Sequence, residues 1–493
     1  MSGRTGRMAR VRRHWGIGLL LLVAGVAYAR TSGAYGMLMW DEAEYATLAR
    51  SLVRGEGYTI GGKPHALRPP LLPLAEAASL RLAGGADEVA VHATTIAFAL
   101  LALLSLYAAA AAAYDRGTGL VAAVLLGTAP WFWTTTANAL SEIPLLVFFS
   151  AALFAWSGGL LRDARWFYVS WLCIGLALLA RYTALLIGPL AVLLTMLELA
   201  RGDAAVRRRV GSRAFVLAPL VGLLVVAPWF ARQALAFGDP LVGVREASMQ
   251  LQRYLPDVSM PWWQYLAGLP AMLSWPAVAL MGIGAAVALR RGDRFAVHCL
   301  VVVVVILVWF SCYRYKEPRL VSAMLPAAAL LASLALTGGR EHPAPRAAVV
   351  AILAATVALN AAATHPVFAS VRTLGYPSFL AAMAYVREHS AADALLVGPN
   401  EPQLVWYADR AAVDFPPAAQ WDALAPLLAR AEWVVVTNFE RGQKPYVAPL
   451  AARLPPEAFA DGSAVRFDGL GFTTLVIRAA RLRELVVASP APG

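Results

Sequence analysis

Trp15-Gly16-Ile17-Gly18-Leu19-Leu20-Leu21-Leu22-Val23-Ala24-Gly25-Val26-Ala27-Tyr28, followed across a short loop by Trp40-Asp41-Glu42-Ala43-Glu44-Tyr45, decides how this chain is read. The first stretch is apolar enough to enter a bilayer, and the second puts three carboxylates just past its end. Comparable apolar runs, about 20 residues each and about eleven in number, recur as far as Asn360. They fall near residues 15–32, 88–113, 118–134, 139–158, 166–181, 183–200, 214–233, 263–289, 295–312, 318–337 and 346–363. With 59% hydrophobic and only 15% charged residues over 493 positions, and a mean hydropathy of +0.61, the chain exceeds the apolar content of a soluble domain. A mainly α, polytopic membrane protein is expected.

Arginine sets the orientation, because short loops rich in positive charge stay on the cytoplasmic side. Arg4, Arg7, Arg10, Arg12 and Arg13 precede the first run. Alternate loops then carry Arg116; Arg162 and Arg165; Arg201, Arg207, Arg208, Arg209 and Arg213; Arg290, Arg291 and Arg294; and Arg340 and Arg346. A cytoplasmic N-terminus and an extracytoplasmic C-terminus follow from an odd number of spans. The net charge of +12 is this topology signal plus attraction to anionic head groups. No basic patch with interleaved aromatics accompanies it, so nucleic acid is not an expected partner. The first run also has the layout of a signal peptide, but it lacks a small-residue cleavage site and is read as an anchor. Cys173, Cys299 and Cys312 lie in or beside apolar runs without metal-ligand spacing, which predicts neither a disulfide framework nor a zinc site.

After residue 365 the pattern changes. Ser378 to Arg387 reads as an amphipathic helix, Ala394 to Asn400 as a buried strand and turn, and Trp433 to Thr437 as a second strand. Ala464 to Phe467 and Phe472 to Ile477 read as a closing hairpin. The expected division is a membrane domain over 1–364, including the outer loop 33–87, and a soluble extracytoplasmic α/β domain over 365–493. The second carries no metal, nucleotide or triad signature, which points to acceptor contact or capping.

The outer loop is long for a connection inside a membrane domain, and such loops tend to carry function. Residues 41–53 have the spacing of a helix lying on a surface, Leu71 to Leu82 could form another, and Gly61 to Pro70 makes a basic turn between them. Asp41 followed by Glu44 also fits a capping box, with Trp40 and Tyr45 as its hydrophobic staple, and Glu42 suits the first helical turn. Glu142, in Asn138-Ala139-Leu140-Ser141-Glu142-Ile143-Pro144, opens a run with no further charge before Arg162. A carboxylate at the bilayer centre costs roughly 2.5 to 3.5 kcal/mol on insertion scales and less near the interface. Glu142 therefore either faces a cavity or partner, or caps its helix beside Ser141. Arg68, Arg181, Arg232, Arg245, Arg253 and the cluster Tyr313-Arg314-Tyr315-Lys316-Glu317-Pro318-Arg319 are basic groups on the face where charge is unexpected. Guanidinium forks pair well with phosphate, and internal pairing with Asp41, Glu42, Glu142, Asp239, Glu246 and Glu317 competes with that.

The order of these motifs, together with Arg68-Pro69-Pro70-Leu71, the stretch Gly175 to Tyr182, Ala227-Pro228-Trp229 and Arg319 to Pro326, resembles the GT-C membrane glycosyltransferases. The likeness covers roughly residues 10–335. Within that group it is most similar to the protein O-mannosyltransferases and lipid A aminoarabinose transferases of the glycosyltransferase family 39 type. The resemblance implies transfer of a sugar from a polyprenyl-phosphate carrier to an acceptor on the outer side. It also implies that Asp41 is the catalytic acidic position, Glu42 the second acid and Glu142 a further acidic position. Arg68 stands where the family usually has lysine.

The chemistry agrees. A hydroxyl acceptor needs a carboxylate to take its proton, worth typically about 10²- to 10⁴-fold, and Asp41 is the candidate base. The leaving phosphate gains charge, which Arg68, with Lys316 and Arg319 behind it, would stabilise. Tyr45, Tyr315 and Arg181 are candidate substrate contacts. Direct displacement by the acceptor inverts the anomeric centre. Asp41, Glu42 and Glu142 could share a divalent cation, but no calcium-loop or histidine-rich spacing accompanies them, the resemblance implies no metal, and none is predicted. The acceptor class, whether lipid, glycan or protein, stays open. A transporter or lipid flippase would also bury charges and break helices, though no internal repeat supports it.

Overall fold

Long stretches of Leu, Val and Ala satisfy their backbone within themselves only as helices, and the computed structural model is accordingly dominated by them. It describes residues 14–32, 39–85, 87–253, 259–338, 345–374, 377–437, 444–469 and 473–487. Arg4, Arg7, Arg10, Arg12, Arg13, Arg340 and Phe472 lie outside the described residues. Among the described residues, seven helices are long and apolar enough to cross a membrane: Glu88–Ala113, Glu142–Leu161, Tyr182–Ala200, Arg213–Phe237, Arg294–Ser311, Pro318–Thr337 and Arg346–Phe368. Trp15–Thr31, Arg116–Thr128 and Trp166–Ala180 are shorter apolar helices.

Two of the expected runs are not straight. Residues 263–289 form Gln264–Leu273 and Trp275–Arg291, bent by 109°. The bend falls at Ser274, whose φ of 73° lies in the left-handed region, with a proline in the first turn of the second helix. The run 118–134 ends its helix at Thr128 and restarts at Pro130, because proline fits the first helical position but lacks the N–H to continue a helix.

The chain forms two compact units. One comprises Met1–Ser32, Ala66–Ala75 and Val89–Val367, and the other Gly33–His65, Glu76–Glu88 and Phe368–Gly493. The first has one continuous apolar core, in which Leu330, Leu331, Ile143, Leu146, Phe132 and Leu103 are buried.

The second unit contains a five-stranded mixed sheet of β1 (Leu395–Val397), β2 (Ala411–Val413), β3 (Trp433–Thr437), β4 (Ala464–Asp468) and β5 (Thr473–Arg478), in the order β2-β1-β3-β5-β4. β1 pairs in parallel with β2 and β3, while β5 runs antiparallel to β3 and β4. The two strands and the hairpin read from the sequence are present, and helix Pro377–His389 covers the amphipathic segment. β2 and helix Glu401–Ala408, which joins β1 to β2, add what the sequence did not reveal.

The same unit contains helix Trp40–Arg54. It is not the half-exposed surface helix that its pattern predicts, because every residue from Asp41 to Ser51 is buried. Within the unit, helix Glu401–Ala408 packs along it.

Candidate functional site

The residues singled out in the sequence fall into two groups of charged side chains, one in each unit. In the second unit, helix Trp40–Arg54 starts at Met39, whose backbone N–H donates to Glu42 Oε2 at 2.8 Å. Glu42 thus performs the reach-back half of a capping box. The cap is two residues earlier than the expected Asp41–Glu44 box, so Asp41 is not the capping residue. It occupies the second position of the helix, buried with Glu42, Glu44 and Tyr45. Carboxylates in this first turn are favoured by the helix dipole.

Gly61 and Gly62, with φ of 56° and 77°, make the two-residue turn of a small hairpin in which Thr59–Ile60 pairs with Lys63–Pro64. The expected basic turn is therefore an ordered ladder. It carries Lys63 and leads to His65, whose Nε2 lies 3.6 Å from Glu44 Oε1.

Glu76 belongs to the same unit and was not singled out from the sequence. Its helix, Leu71–Ala83, buries Leu72, Glu76 and Leu80 in one stripe, with Glu76 0% exposed and neither carboxylate oxygen hydrogen-bonded among the described residues. Burial, and after it the charge of Glu42, holds this carboxyl well above the usual carboxylate range. A charged residue spaced four positions from leucines on both sides is the signal that could have found it.

In the membrane unit, Glu142 is the first residue of helix Glu142–Leu161 and is 0% exposed. Its Oε1 is held by Arg181 Nη1 and lies 3.8 Å from Arg319 Nη1, while Oε2 has no hydrogen-bond partner among the described residues. Arg181 also reaches Ser141 Oγ at 3.3 Å. It occupies an extended residue (φ −157°, ψ 144°) between helix Trp166–Ala180 and the helical turn from Tyr182, and that break frees it to turn toward Glu142. Arg319 follows Pro318 at the start of its helix, pairs with Glu317 Oε2 at 2.6 Å and stays partly exposed. Near these groups in sequence, Leu145, Phe149, Thr183, Leu186, Ile306 and Leu320 line a crevice of only about 10 Å³, room for about one water molecule.

Arg68 is buried in this unit just after Ala66, whose carbonyl accepts from the buried Gln233 Nε2 at 2.9 Å. Lys316 is also buried, and its Nζ donates to the carbonyls of Met260 at 3.0 Å and Tyr313 at 2.6 Å. Tyr315 is half-buried beside it. The structure therefore gathers Glu142, Arg181 and Arg319. Internal pairing claims Arg245, which bonds Asp239, while Arg232 stacks over Trp229 with its guanidinium carbon 5.3 Å from the ring centre. Among the described residues, no three His, Cys, Asp or Glu side chains are placed to hold a metal ion.

A further buried cluster was missed in the sequence. Glu198 binds Arg201 and Arg294, and its Oε1 accepts from His298 Nε2 at 3.0 Å; His298 Nδ1 meets Ser157 Oγ at 2.9 Å. Ser157 is fifteen residues along the helix from Glu142, which at 1.5 Å per residue separates the clusters by about 20 Å. The Glu198 cluster joins the end of helix Ile187–Ala200 to the start of helix Arg294–Ser311 through Arg201 and Arg294, which the sequence offered only as topology signals.

Residues 67–231 match the family described as dolichyl-phosphate-mannose-protein mannosyltransferase. Among solved structures, ArnT from Cupriavidus metallidurans bound to undecaprenyl phosphate aligns over 94% of this chain and 98% of its own, at 16% identity and a TM-score of 0.72. The Archaeoglobus fulgidus oligosaccharyltransferase aligns over 86% of this chain and 70% of its own, at 12% identity and a TM-score of 0.59. The arabinofuranosyltransferase AftD from Mycobacteria aligns over 94% of this chain and 40% of its own, at 14% identity and a TM-score of 0.52. No curated protein matches in sequence. At these identities the likeness is one of fold, and the fold is that of the GT-C membrane glycosyltransferases.

Proposed function

We propose that the chain transfers a hexose or pentose from a polyprenyl-phosphate carrier to a hydroxyl or phosphate of an extracytoplasmic acceptor, with inversion at the anomeric carbon. The observation that carries this reading is the company kept by Glu142: two guanidinium groups at one buried carboxylate, at the start of a long apolar helix. A polyprenyl phosphate has the matching polarity, an anionic head on an apolar tail, and cations bind phosphate through charge-assisted hydrogen bonds. The lipid bound to ArnT, undecaprenyl phosphate, is of this class.

In this mechanism Asp41 takes the proton of an acceptor hydroxyl as its oxygen attacks the anomeric carbon. The bond to the carrier phosphate breaks, and polyprenyl phosphate leaves with the negative charge. Arg68, Arg319 and Lys316 stabilise that charge, Lys316 with the one N–H its two carbonyl partners leave over. Glu42 fixes the start of the Asp41 helix and Glu142 orients Arg181, while Tyr45 and Tyr315 contact substrate. Residues 1–364 are the transferase domain and 365–493 an extracytoplasmic α/β domain. The chain resides in the inner cell membrane with its N-terminus in the cytoplasm.

The test is release of polyprenyl phosphate from a panel of polyprenyl-phosphate sugars by purified wild type and Asp41→Asn, with a membrane extract as acceptor source. Release and transfer by wild type alone is expected. A panel that includes the native donor and yields no release from either protein overturns the reading.

A further inference from the structure

Arg50 lies on the helix that carries Asp41, at its other end, and is only 7% exposed. Both of its terminal nitrogens are turned to one helix end, and Nη1 also lies 3.5 Å from Asp409 Oδ1. Nη1 donates to the Trp406 carbonyl at 2.8 Å and Nη2 to the Val405 carbonyl at 2.6 Å, with the guanidinium carbon 4.9 Å from the Trp406 ring centre. Both carbonyls belong to the last turn of helix Glu401–Ala408, where backbone acceptors have no helical partner and the dipole favours a cation. One turn further along, Arg54 holds both oxygens of Asp409 at 2.8 and 2.9 Å, just past the end of the same helix. At the opposite end, Glu401 lies within electrostatic reach of Glu44 and Lys63. The two helices therefore run side by side in the same direction, gripped at their C-terminal ends.

Burying a guanidinium is costly, and it pulls the Arg50 pKa down to about 10 despite Asp409 nearby. Arg54 already supplies an exposed ion pair, so simple attachment does not call for a second, buried arginine. A planar fork on two consecutive carbonyls adds a fixed angle and register.

We propose that Arg50 is a positioning residue: by clamping helix Trp40–Arg54 to the last turn of helix Glu401–Ala408, it sets where the Asp41 carboxylate stands, which gives the α/β domain a part in catalysis. The role rests on the transferase reading above. A displacement of about 1 Å at a reacting group can lower a rate on the order of 100-fold, so a looser clamp should act on turnover rather than on donor binding.

The experiment compares full-length wild type, Arg50→Lys and Arg54→Ala, each normalised to folded protein by thermal unfolding. Arg50→Lys keeps the charge and the stem but loses the fork. Its kcat is expected to fall at least about tenfold with donor KM within about twofold, and the acid limb of its kcat–pH profile to shift as the surroundings of Asp41 change. Arg54→Ala should keep kcat, KM and that limb close to wild type. If Arg50→Lys keeps wild-type kcat and the same acid limb per folded molecule, or loses activity only in proportion to folded protein, the positioning role is overturned while an active wild type leaves the transferase reading standing. A wild type that releases no carrier phosphate removes both.

Discussion

The buried carboxylate of Glu142 and the half-buried guanidinium of Arg181 form an ion pair between the start of one membrane helix and the junction of two others. Arg319, at 3.8 Å, is the next cation. Removing Arg181 leaves the buried Glu142 charge with only the more distant, partly exposed Arg319, against a cost of about 3–5 kcal/mol for a wholly uncompensated buried charge. Arg181→Ala should therefore lower the thermal midpoint far more than an ordinary exposed substitution. Adding Glu142→Gln should restore part of the loss, because the stranded charge is gone. Additive effects in this double-mutant cycle, read by thermal unfolding in detergent, would show that the two side chains are not coupled.

Arg68 gives a prediction about turnover. If it stabilises the leaving phosphate, Arg68→Ala should reduce kcat/KM by about 10²- to 10³-fold, the range for losing one preorganised donor to a developing anion. Arg68→Lys keeps the charge but not the fork, and should retain more activity than alanine. Equal loss in both would mean that the fork geometry, not the charge, is what matters. Wild-type activity in Arg68→Ala would remove the residue from the phosphate site. The measurement is carrier-phosphate release against donor concentration.

The membrane helices were legible because a bilayer demands long apolar runs, and such runs are visible in single residues. What stayed hidden depends on partners distant in sequence or on the main chain. Arg50 reads as one more polar position on an amphipathic helix, since the carbonyls of Val405 and Trp406 that it binds carry no side-chain signature. Glu198 stands in an apolar run, and its partners Arg294 and His298 come from another helix about a hundred positions later. The acidic motif does open a helix, but in a register the sequence does not show, because the capping Met39 is a residue no capping preference selects. In the span 263–289, the turn at Ser274 depends on a left-handed backbone that hydropathy does not encode.

Gly284 tests the packing of the membrane unit. It faces helix Leu325–Thr337 so closely that an added methyl would land on the Leu331 carbonyl, a backbone atom with no rotamer to move aside. Small residues at such crossings let helix backbones approach in lipid. Gly284→Ala should cost about 1–3 kcal/mol through overpacking, seen as reduced monodisperse yield and a lower thermal midpoint. Gly282→Ala, where a methyl meets open space, is the control on the same helix and should behave as wild type. Indistinguishable midpoints for the two variants would mean that the helices can separate at little cost.

Glu76 yields a pH-dependent prediction. It lies outside the membrane-crossing helices, and its carboxyl is held well above the usual range by burial first and by the charge of Glu42 second. In the unfolded chain it titrates near the ordinary value of about 4.3. Below that value both states hold the proton and the group has no effect on the balance. As the pH rises above it, the unfolded chain releases the proton while the folded protein still retains it, so the folded state binds more protons and stability falls until the folded pKa is passed. Glu76→Leu abolishes this contribution and completes the stripe with Leu72 and Leu80. It should raise stability at neutral pH by on the order of 1–3 kcal/mol, the cost of a buried polar group left unbonded. Glu76→Gln should flatten the same part of the profile but gain less, because its amide is polar too. Thermal midpoints of the three proteins measured from about pH 4 to pH 8 separate the possibilities. Parallel curves for wild type and Glu76→Leu would mean that Glu76 ionises in the folded protein as it does in the unfolded chain, and that its burial is relieved by a partner it gains in solution.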